Sequence, residues 1–214
     1  YRKIINTNNQ INFEIFNTGI ETARNVILDI YKIVYDQKNH REELINILHK
    51  DLPDINPNER LSENMNFIPD AYGYFLISFV VNSSNDFKQD NNVAYVSYEI
   101  VPDGPDLKGF IMEYEPKIIN IPSNIGVSVE NIGIKPLTQG TAKLYLKEYN
   151  DKEEILTLIG EASIGSLASD ERKEIRFAWT PVNLGYNDLR LVLESDEDLR
   201  QDNNIYETSI RVIS

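Results

Sequence analysis

The sequence contains no cysteine and only two histidines, His40 and His49, among its 214 residues. The absence of cysteine excludes a disulfide framework, cysteine-bound zinc, an iron–sulfur cluster and a thiol nucleophile. Both histidines lie in the first half of the chain, so they offer little basis for histidine-dependent catalysis. The sequence also has no glycine-rich phosphate loop and no Gly-x-Ser-x-Gly nucleophile elbow. We therefore predict that the chain is not an enzyme and requires no cofactor.

Basic residues are also scarce. The chain has 21 lysines and arginines against 34 aspartates and glutamates, which gives a net charge of −13. Such an acidic surface repels nucleic-acid phosphates and anionic lipid headgroups, so we expect no nucleic-acid partner. Hydrophobic residues make up 41% of the sequence, and they are too dispersed to form a membrane span. This composition is typical of a folded protein with its own core.

Two copies of one pattern fill the sequence. The segments that begin at Ile11 and Ile125 lie 114 positions apart, and both alternate apolar and polar residues before ending in Asn-x-Gly-Ile. The tetrapeptide Gln-Asp-Asn-Asn at 89–92 recurs at 201–204, which is 112 positions later. Offsets that change so little over this distance indicate small loop insertions between two copies of one fold.

Each copy has the hydrophobic pattern of a β-sandwich. Short stretches alternate apolar and polar residues and are separated by turn residues, which is typical of strands with one buried face. We place one domain at residues 1–102 and a second at 103–214, with the boundary in the Pro-Asp-Gly-Pro turn at 102–105. The prediction is an all-β protein made of two tandem immunoglobulin-like antiparallel β-sandwiches.

One stretch of the first copy leaves an alternative open. In the segment Arg41–Leu52, leucines recur every four residues, which is the spacing of an amphipathic helix. The matching segment of the second copy, 154–159, is rich in strand-forming residues and too short to show that period. The repeat favours a strand in both copies, and this is our prediction. A helical turn in the first copy is the alternative.

An acidic loop at residues 195–204 offers oxygen ligands for a metal. Asp196, Asp198 and Asp202 carry carboxylates of the kind that calcium prefers. The loop lacks the glycine and the spaced bidentate glutamate of a calcium-binding loop, and its carboxylates would equally serve to hydrogen-bond the loop backbone. We keep these three aspartates as calcium candidates only. We assign no metal site, no catalytic residue and no cofactor-binding residue.

Three motifs together resemble a known family. They are an alternating strand that ends in Asn-x-Gly, a Pro-x-x-x-Gly-Tyr opening to a later strand, and an Asp-Asn-Asn before the final strand. This combination resembles the CARDB domain, an adhesion-related immunoglobulin-like module found in tandem in bacterial and archaeal surface and secreted proteins. The tripeptide Pro-Asp-Leu at 105–107 is similar to the start of that family. The resemblance implies a seven-strand sandwich, an exported setting and no catalytic residues.

The resemblance also implies a function. We expect a non-enzymatic structural or adhesive segment of a larger exported protein, which spaces or presents other domains at the cell surface. The alternative is an accessory module of a secreted hydrolase, a peptidase, with its catalytic domain outside this chain. The expected partners are other domains of the same precursor or another surface protein. Carbohydrate is disfavoured, because Tyr95 and Tyr98 lie on opposite faces of their strand.

The first copy is shorter at its start than the second. Ile4 aligns with Ile118, which residues 106–117 precede within the second copy, whereas residues 1–3 are the counterpart in the first. We therefore predict that the first copy lacks its first strand, as if the chain had been cut from a longer protein inside a domain. An unpaired strand edge is a liability. Extension of the chain upstream is expected to raise its thermal stability.

Overall fold

The computed structural model describes residues 1–36, 40–150 and 153–214. The chain divides into two compact units, Tyr1–Val101, here called unit 1, and Pro102–Ser214, called unit 2. Both are built of strands, and the described residues contain no α-helix. Accordingly, no helix in that part of the chain is long and apolar enough to cross a membrane.

The strands of unit 1 form two sheets. In chain order they are β1 (Arg2–Ile4), β2 (Asn9–Phe16), β3 (Val26–Asp36), β4 (Arg41–Leu52), β5 (Arg60–Phe67), β6 (Gly73–Asn82) and β7 (Val93–Val101). One sheet has the order β1-β7-β6-β3-β4, and the other pairs β2 with β5. All neighbours run antiparallel except β1 and β7, which are parallel.

The strands of unit 2 follow a similar order, with one additional strand at the start of the unit. They are β8 (Leu107–Ile111), β9 (Lys117–Ile118), β10 (Ser123–Asn131), β11 (Thr141–Asn150), β12 (Glu153–Ser163), β13 (Arg172–Trp179), β14 (Gly185–Glu194) and β15 (Ile205–Ile213). The larger sheet has the order β12-β11-β14-β15-β9, and the smaller sheet has the order β13-β10-β8. In unit 2, β10 therefore has a neighbour on both edges.

Each unit closes its own core between its two sheets. In unit 2, side chains of β8, β10 and β13 contact side chains of β11, β14 and β15 in one buried cluster. In unit 1, the cluster joins β2 and β5 with β3, β6 and β7. Burial of alternate apolar residues from two facing sheets is the arrangement of a β-sandwich. The predicted all-β fold of antiparallel immunoglobulin-like sandwiches is confirmed.

The same backbone features recur in the two units. Gly73 and Gly185, which begin β6 and β14, have φ values of 105° and 96°. Only glycine adopts such values without strain, which explains why this residue opens both strands. A β-bulge interrupts the β3–β4 pairing between Ile30 and Tyr31, and another interrupts the β11–β12 pairing between Leu144 and Tyr145. These features lie at the offsets that the sequence motifs showed.

The segment Arg41–Leu52 is strand β4 along its whole length, as predicted, and the alternative helical turn does not occur. The β3–β4 bulge explains its unusual pattern. The pairing shifts between Leu48 and Asn46, so the inward face of the strand changes at this point. Leu44 is consequently 61% exposed, whereas Leu52 is 7% exposed. The leucines at four-residue spacing thus do not share one face.

Candidate functional site

Asn131, the last residue of β10, is a fully buried polar side chain of unit 2. Its Oδ1 accepts the backbone N–H groups of Asp106 and Gly133, each at 3.1 Å. Its Nδ2 donates to the carbonyl oxygens of Lys135 at 2.8 Å and Leu167 at 3.1 Å. The amide thus uses all four of its hydrogen-bonding positions. It ties the segment that enters β8 to the end of β10.

The entering segment passes very close to Gly133. A Cβ atom at this position would lie 2.3 Å from the carbonyl oxygen of Gly104 and 2.6 Å from the backbone nitrogen of Asp106. Gly133 is not among the glycines with a positive φ, so its backbone conformation is open to other residues. The site therefore requires glycine because any side chain would displace the entering backbone.

Asp198, in the loop between β14 and β15, holds the same segment. Its side chain is buried, and its Oδ2 accepts the backbone N–H of Leu107, the first residue of β8, at 3.0 Å. Its Oδ1 accepts the backbone N–H of Arg200 at 2.9 Å, just ahead of a 3-10 turn over Gln201–Asn203. Hydrogen bonds from backbone N–H groups to a carboxylate are among the stronger ones in proteins. Asp198 thus positions the start of β8.

The three calcium candidates do not converge. Both oxygens of Asp198 accept backbone N–H groups, Asp202 accepts a bond from Nε of Arg200 at 2.8 Å, and Asp196 is exposed. Over residues 1–36, 40–150 and 153–214, no group of three or more histidine, aspartate or glutamate side chains is placed to hold a metal ion. The role of this loop that the contacts support is to hold neighbouring backbone.

Asp106 is a buried carboxylate that the sequence did not single out by chemistry. It is 1% exposed, and its Oδ1 accepts a hydrogen bond from Nδ2 of Asn203 at 2.7 Å. Its Oδ2 has no hydrogen-bond partner among the described residues. The pKa of Asp106 is raised to about 6, chiefly because burial disfavours the charged carboxylate; the negative charges of Asp198 and Asp202 also raise it, whereas the hydrogen bond from Asn203 and the positive charge of Arg200 lower it. Only the fold reveals this environment, because the sequence shows an aspartate beside a proline and no more.

Removal of this charge is expected to stabilise unit 2 at alkaline pH. Folded Asp106 holds its proton up to about pH 6, whereas an exposed aspartate loses it near 3.8, so unit 2 loses stability as pH rises through this window. Asp106→Asn keeps an acceptor for Asn203 and removes the charge. At pH 8 we expect the free energy of unfolding to rise by about 1–2 kcal/mol, allowing for solvent screening.

The measurement is urea unfolding at pH 4, 6 and 8, followed by the fluorescence of Trp179. This residue is the only tryptophan of the sequence and lies in the core of unit 2, so its signal reports unit 2 alone. Exposed Asp196 is the matched control, and Asp196→Asn should leave the difference between pH 4 and pH 8 unchanged. A loss of stability at pH 8 in Asp106→Asn would contradict the assignment.

Unit 1 has an open groove beside β2, with a volume of about 1070 Å³. Its apolar wall is formed by side chains of β2, β6 and β7, among them Phe13, Ile15, Phe79 and Val81, all of them partly buried. Among the described residues, β2 pairs only with β5, so its outer edge borders this groove. The sequence indicated a missing strand, but the size and lining of the groove appear only in the fold.

Comparisons with known proteins bear on unit 2 above all. The model of the CARDB family matches residues 105–208, so unit 2 contains a CARDB domain, as the sequence motifs predicted. A crystal structure of a CARDB domain from Pyrococcus furiosus, in complex with di-metal ions, is similar with 22% identity and a TM-score of 0.44. The similarity covers 53% of this chain and 92% of that one.

Two further solved structures are similar. The solution structure of the Pyrococcus furiosus CARDB domain has 22% identity and a TM-score of 0.42, over 52% of this chain and 97% of that one. Red sea bream transglutaminase has 13% identity and a TM-score of 0.43, over 100% of this chain and 30% of that one. No curated protein matches the chain.

Proposed function

We propose that the chain is a non-enzymatic segment of a larger exported protein, where it spaces or presents other domains at the cell surface. The observation that carries this proposal is the use of buried polar side chains in unit 2. Asn131 and Asp198 direct their hydrogen bonds to the backbone of the segment that enters the domain. The match of residues 105–208 to a family of extracellular modules supports the exported setting.

This arrangement suits a domain that must stay folded while the rest of a polypeptide pulls on it. Residues 104–107 are held by Asn131, by Asp198 and by two backbone bonds, Ile132 N–H to the Asp106 oxygen at 2.7 Å and Ile134 N–H to the Gly104 oxygen at 3.1 Å. β8 follows at once and pairs with β10. All of these bonds must be broken before the N-terminal end of unit 2 opens, because they hold the segment that leads into β8.

A surface-display experiment tests the proposed function. The chain is placed between an N-terminal epitope and a C-terminal membrane anchor on a host cell, and antibody-coated beads report access to the epitope. We expect more beads bound per epitope than in a protein that joins the epitope directly to the anchor, because the folded units hold the epitope away from the surface. Equal binding would contradict a spacing role.

A loosened variant serves as the control. Asp198→Ala removes the acceptor for Leu107 N–H and should release the start of β8 while the core of unit 2 remains. We expect the epitope of this variant to be lost faster to added trypsin, since Lys108, which is exposed already, then lies in a flexible segment that the protease can bind. Equal rates of loss would show that the entering segment does not bear on presentation.

A further inference from the structure

The strand β8 of unit 2 shows what fits beside β10 in the smaller sheet. It runs antiparallel to β10, with Gly109 opposite Val129 and Ile111 opposite Val127. A Cβ atom at Gly109 would lie 2.8 Å from Cδ2 of Leu191 and 3.0 Å from Cδ1 of Leu193. The strand therefore rests directly on these two leucines of β14, and a small central residue permits the contact.

Unit 1 has a surface equivalent to the one that β8 covers in unit 2, but none of its described strands covers it. Phe79 and Val81 of β6 stand 112 positions before Leu191 and Leu193, and both line the groove. Leu191 is 0% exposed and Leu193 is 2% exposed, whereas the two residues of unit 1 are only partly buried. Phe13 of β2 contacts Phe79, with ring centroids 4.9 Å apart. The groove nevertheless remains open beside these two rings.

The asparagine that receives the entering backbone is also present in unit 1. Asn17 is the counterpart of Asn131, and its Oδ1 accepts the N–H of Gly19 at 2.9 Å, as Asn131 does from Gly133. In unit 2, Oδ1 of Asn131 also accepts the N–H of Asp106. No described residue donates an equivalent second hydrogen bond to Oδ1 of Asn17. A Cβ atom at Gly19 would meet only the Asn17 side chain, at 3.1 Å, so the space filled by backbone in unit 2 is empty in unit 1.

Unit 1 also has an aspartate at the position that corresponds to Asp198. Asp86, the counterpart of Asp198, accepts the backbone N–H of Lys88 on Oδ1 at 2.9 Å, in the same way that Asp198 accepts that of Arg200. Its Oδ2 accepts a hydrogen bond from Nδ2 of Asn92 at 2.9 Å, whereas Oδ2 of Asp198 accepts the first N–H of β8. Asp86 can exchange this side-chain donor for the N–H of an incoming strand.

The outer edge of β2 has free positions for a ladder. Asn17 N–H bonds the Glu59 oxygen at 3.1 Å, on the β5 side, so residues at even positions direct their backbone groups to the groove. In unit 2 the corresponding edge is used, with Met112 N–H donating to the Gly126 oxygen at 2.9 Å. Asn12 of β2 is the counterpart of Gly126.

The chain itself leads to the groove. β1 pairs in parallel with β7 as β9 pairs with β15, and β9 follows β8 after the five residues 112–116. Tyr1 lies at the wall of the groove, with its ring centroid 6.3 Å from that of Tyr98 and its carbonyl oxygen bonded to Glu99 N–H at 2.9 Å. A strand in the groove would therefore reach Tyr1 through a connection of a few residues.

We propose that the groove of unit 1 is the seat of a β-strand from the same polypeptide, N-terminal to Tyr1 and antiparallel to β2. Its inward positions follow an apolar–x–Gly–x–apolar pattern, because β8 meets an equivalent surface with Leu107, Gly109 and Ile111. Its outward residues face Phe16 and Glu14, the counterparts of Glu130 and Ser128. An apolar residue therefore fits the second position and a basic residue the fourth. This strand completes unit 1 whether or not the chain acts as a spacer.

A grafted chain tests the proposal. Residues 103–114 are duplicated directly ahead of Tyr1, which reproduces the spacing of unit 2, and backbone amide exchange is measured by mass spectrometry. We expect exchange in the β2 peptide to slow by about 100-fold or more, because the strand both pairs with the edge and covers the apolar wall. Unchanged exchange in the monomeric grafted chain would overturn the proposal.

Two further variants make the result specific. In the grafted copy, Leu107→Asp and Ile111→Asp together should abolish the protection, since both charges would face the apolar wall. Gly19→Val should leave exchange of the original chain unchanged and abolish protection in the grafted chain, because it fills the path of the entering backbone. Protection that appears only in a dimer, or equally with a separate peptide of residues 103–114, assigns the strand to another molecule and overturns the proposal.

Discussion

Gly133→Ala is expected to lower the free energy of unfolding of unit 2 by about 3 kcal/mol. The added Cβ would lie 2.3 Å from the Gly104 oxygen, 2.6 Å from the Asp106 nitrogen and 2.7 Å from the Pro105 carbonyl carbon. All three atoms belong to backbone held by Asn131 and Asp198, so the segment cannot move aside without losing those hydrogen bonds. Urea unfolding followed by Trp179 fluorescence measures the change.

The chain contains its own matched control for this substitution. Gly19 occupies the same turn in unit 1, but a Cβ there would meet only Oδ1 of Asn17, at 3.1 Å. Gly19→Ala should therefore cost less than about 1 kcal/mol, because one side chain can shift. Far-UV circular dichroism, which reports both units, is the suitable measurement. Similar losses in the two variants would show that the turn conformation, and not the entering backbone, requires glycine.

Asn131→Ala is expected to cost unit 2 about 3–4 kcal/mol. The substitution removes four hydrogen bonds, two to backbone N–H groups and two to carbonyl oxygens. Because Asn131 is fully buried, water cannot replace it without opening the site, and the abandoned groups carry a desolvation penalty. Trp179 fluorescence in urea again gives the free energy. A cost below about 1 kcal/mol would contradict this account of the site.

Asn17→Ala is the corresponding variant of unit 1. Asn17 bonds the N–H of Gly19 and the carbonyl oxygens of Glu21 and Ile55, but its surroundings are open to solvent. Water can therefore satisfy most of the released groups, and we expect a loss of about 1 kcal/mol. In the grafted chain the same variant should cost more, since the added strand would bury this position.

The comparison of the two units explains why substitution of the asparagine or the glycine of the same motif is expected to cost more unfolding free energy in unit 2 than in unit 1. In unit 2, the Asn-x-Gly turn faces the backbone that enters β8, and each hydrogen-bonding position is used. In unit 1, the same turn faces the groove. The energetic role of a motif thus depends on whether its partner segment is in place, even when its local geometry is the same.

The strands and the duplication were readable in the sequence because they depend on neighbours along the chain. Alternation of apolar residues from Ile125 to Val129 marks the side of β10 that faces the core, and this signal needs only a window of a few residues. The β4 segment was harder, since its bulge shifts the inward face in the middle of the strand. There the repeat, and not the local pattern, led to the correct prediction.

The functions of the polar residues were decided by the tertiary structure. The acidic loop offered three aspartates of similar chemistry, and only the fold places Asp198 against the N–H of Leu107, which is 91 positions away in the sequence. The burial of Asp106 and the groove of unit 1 arise in the same way, from strands that are distant in sequence. Alternation along the chain therefore determined which side of each strand faces the core. The register between remote strands decided which polar groups meet and which edge stays open, because hydrogen bonds and desolvation act through space.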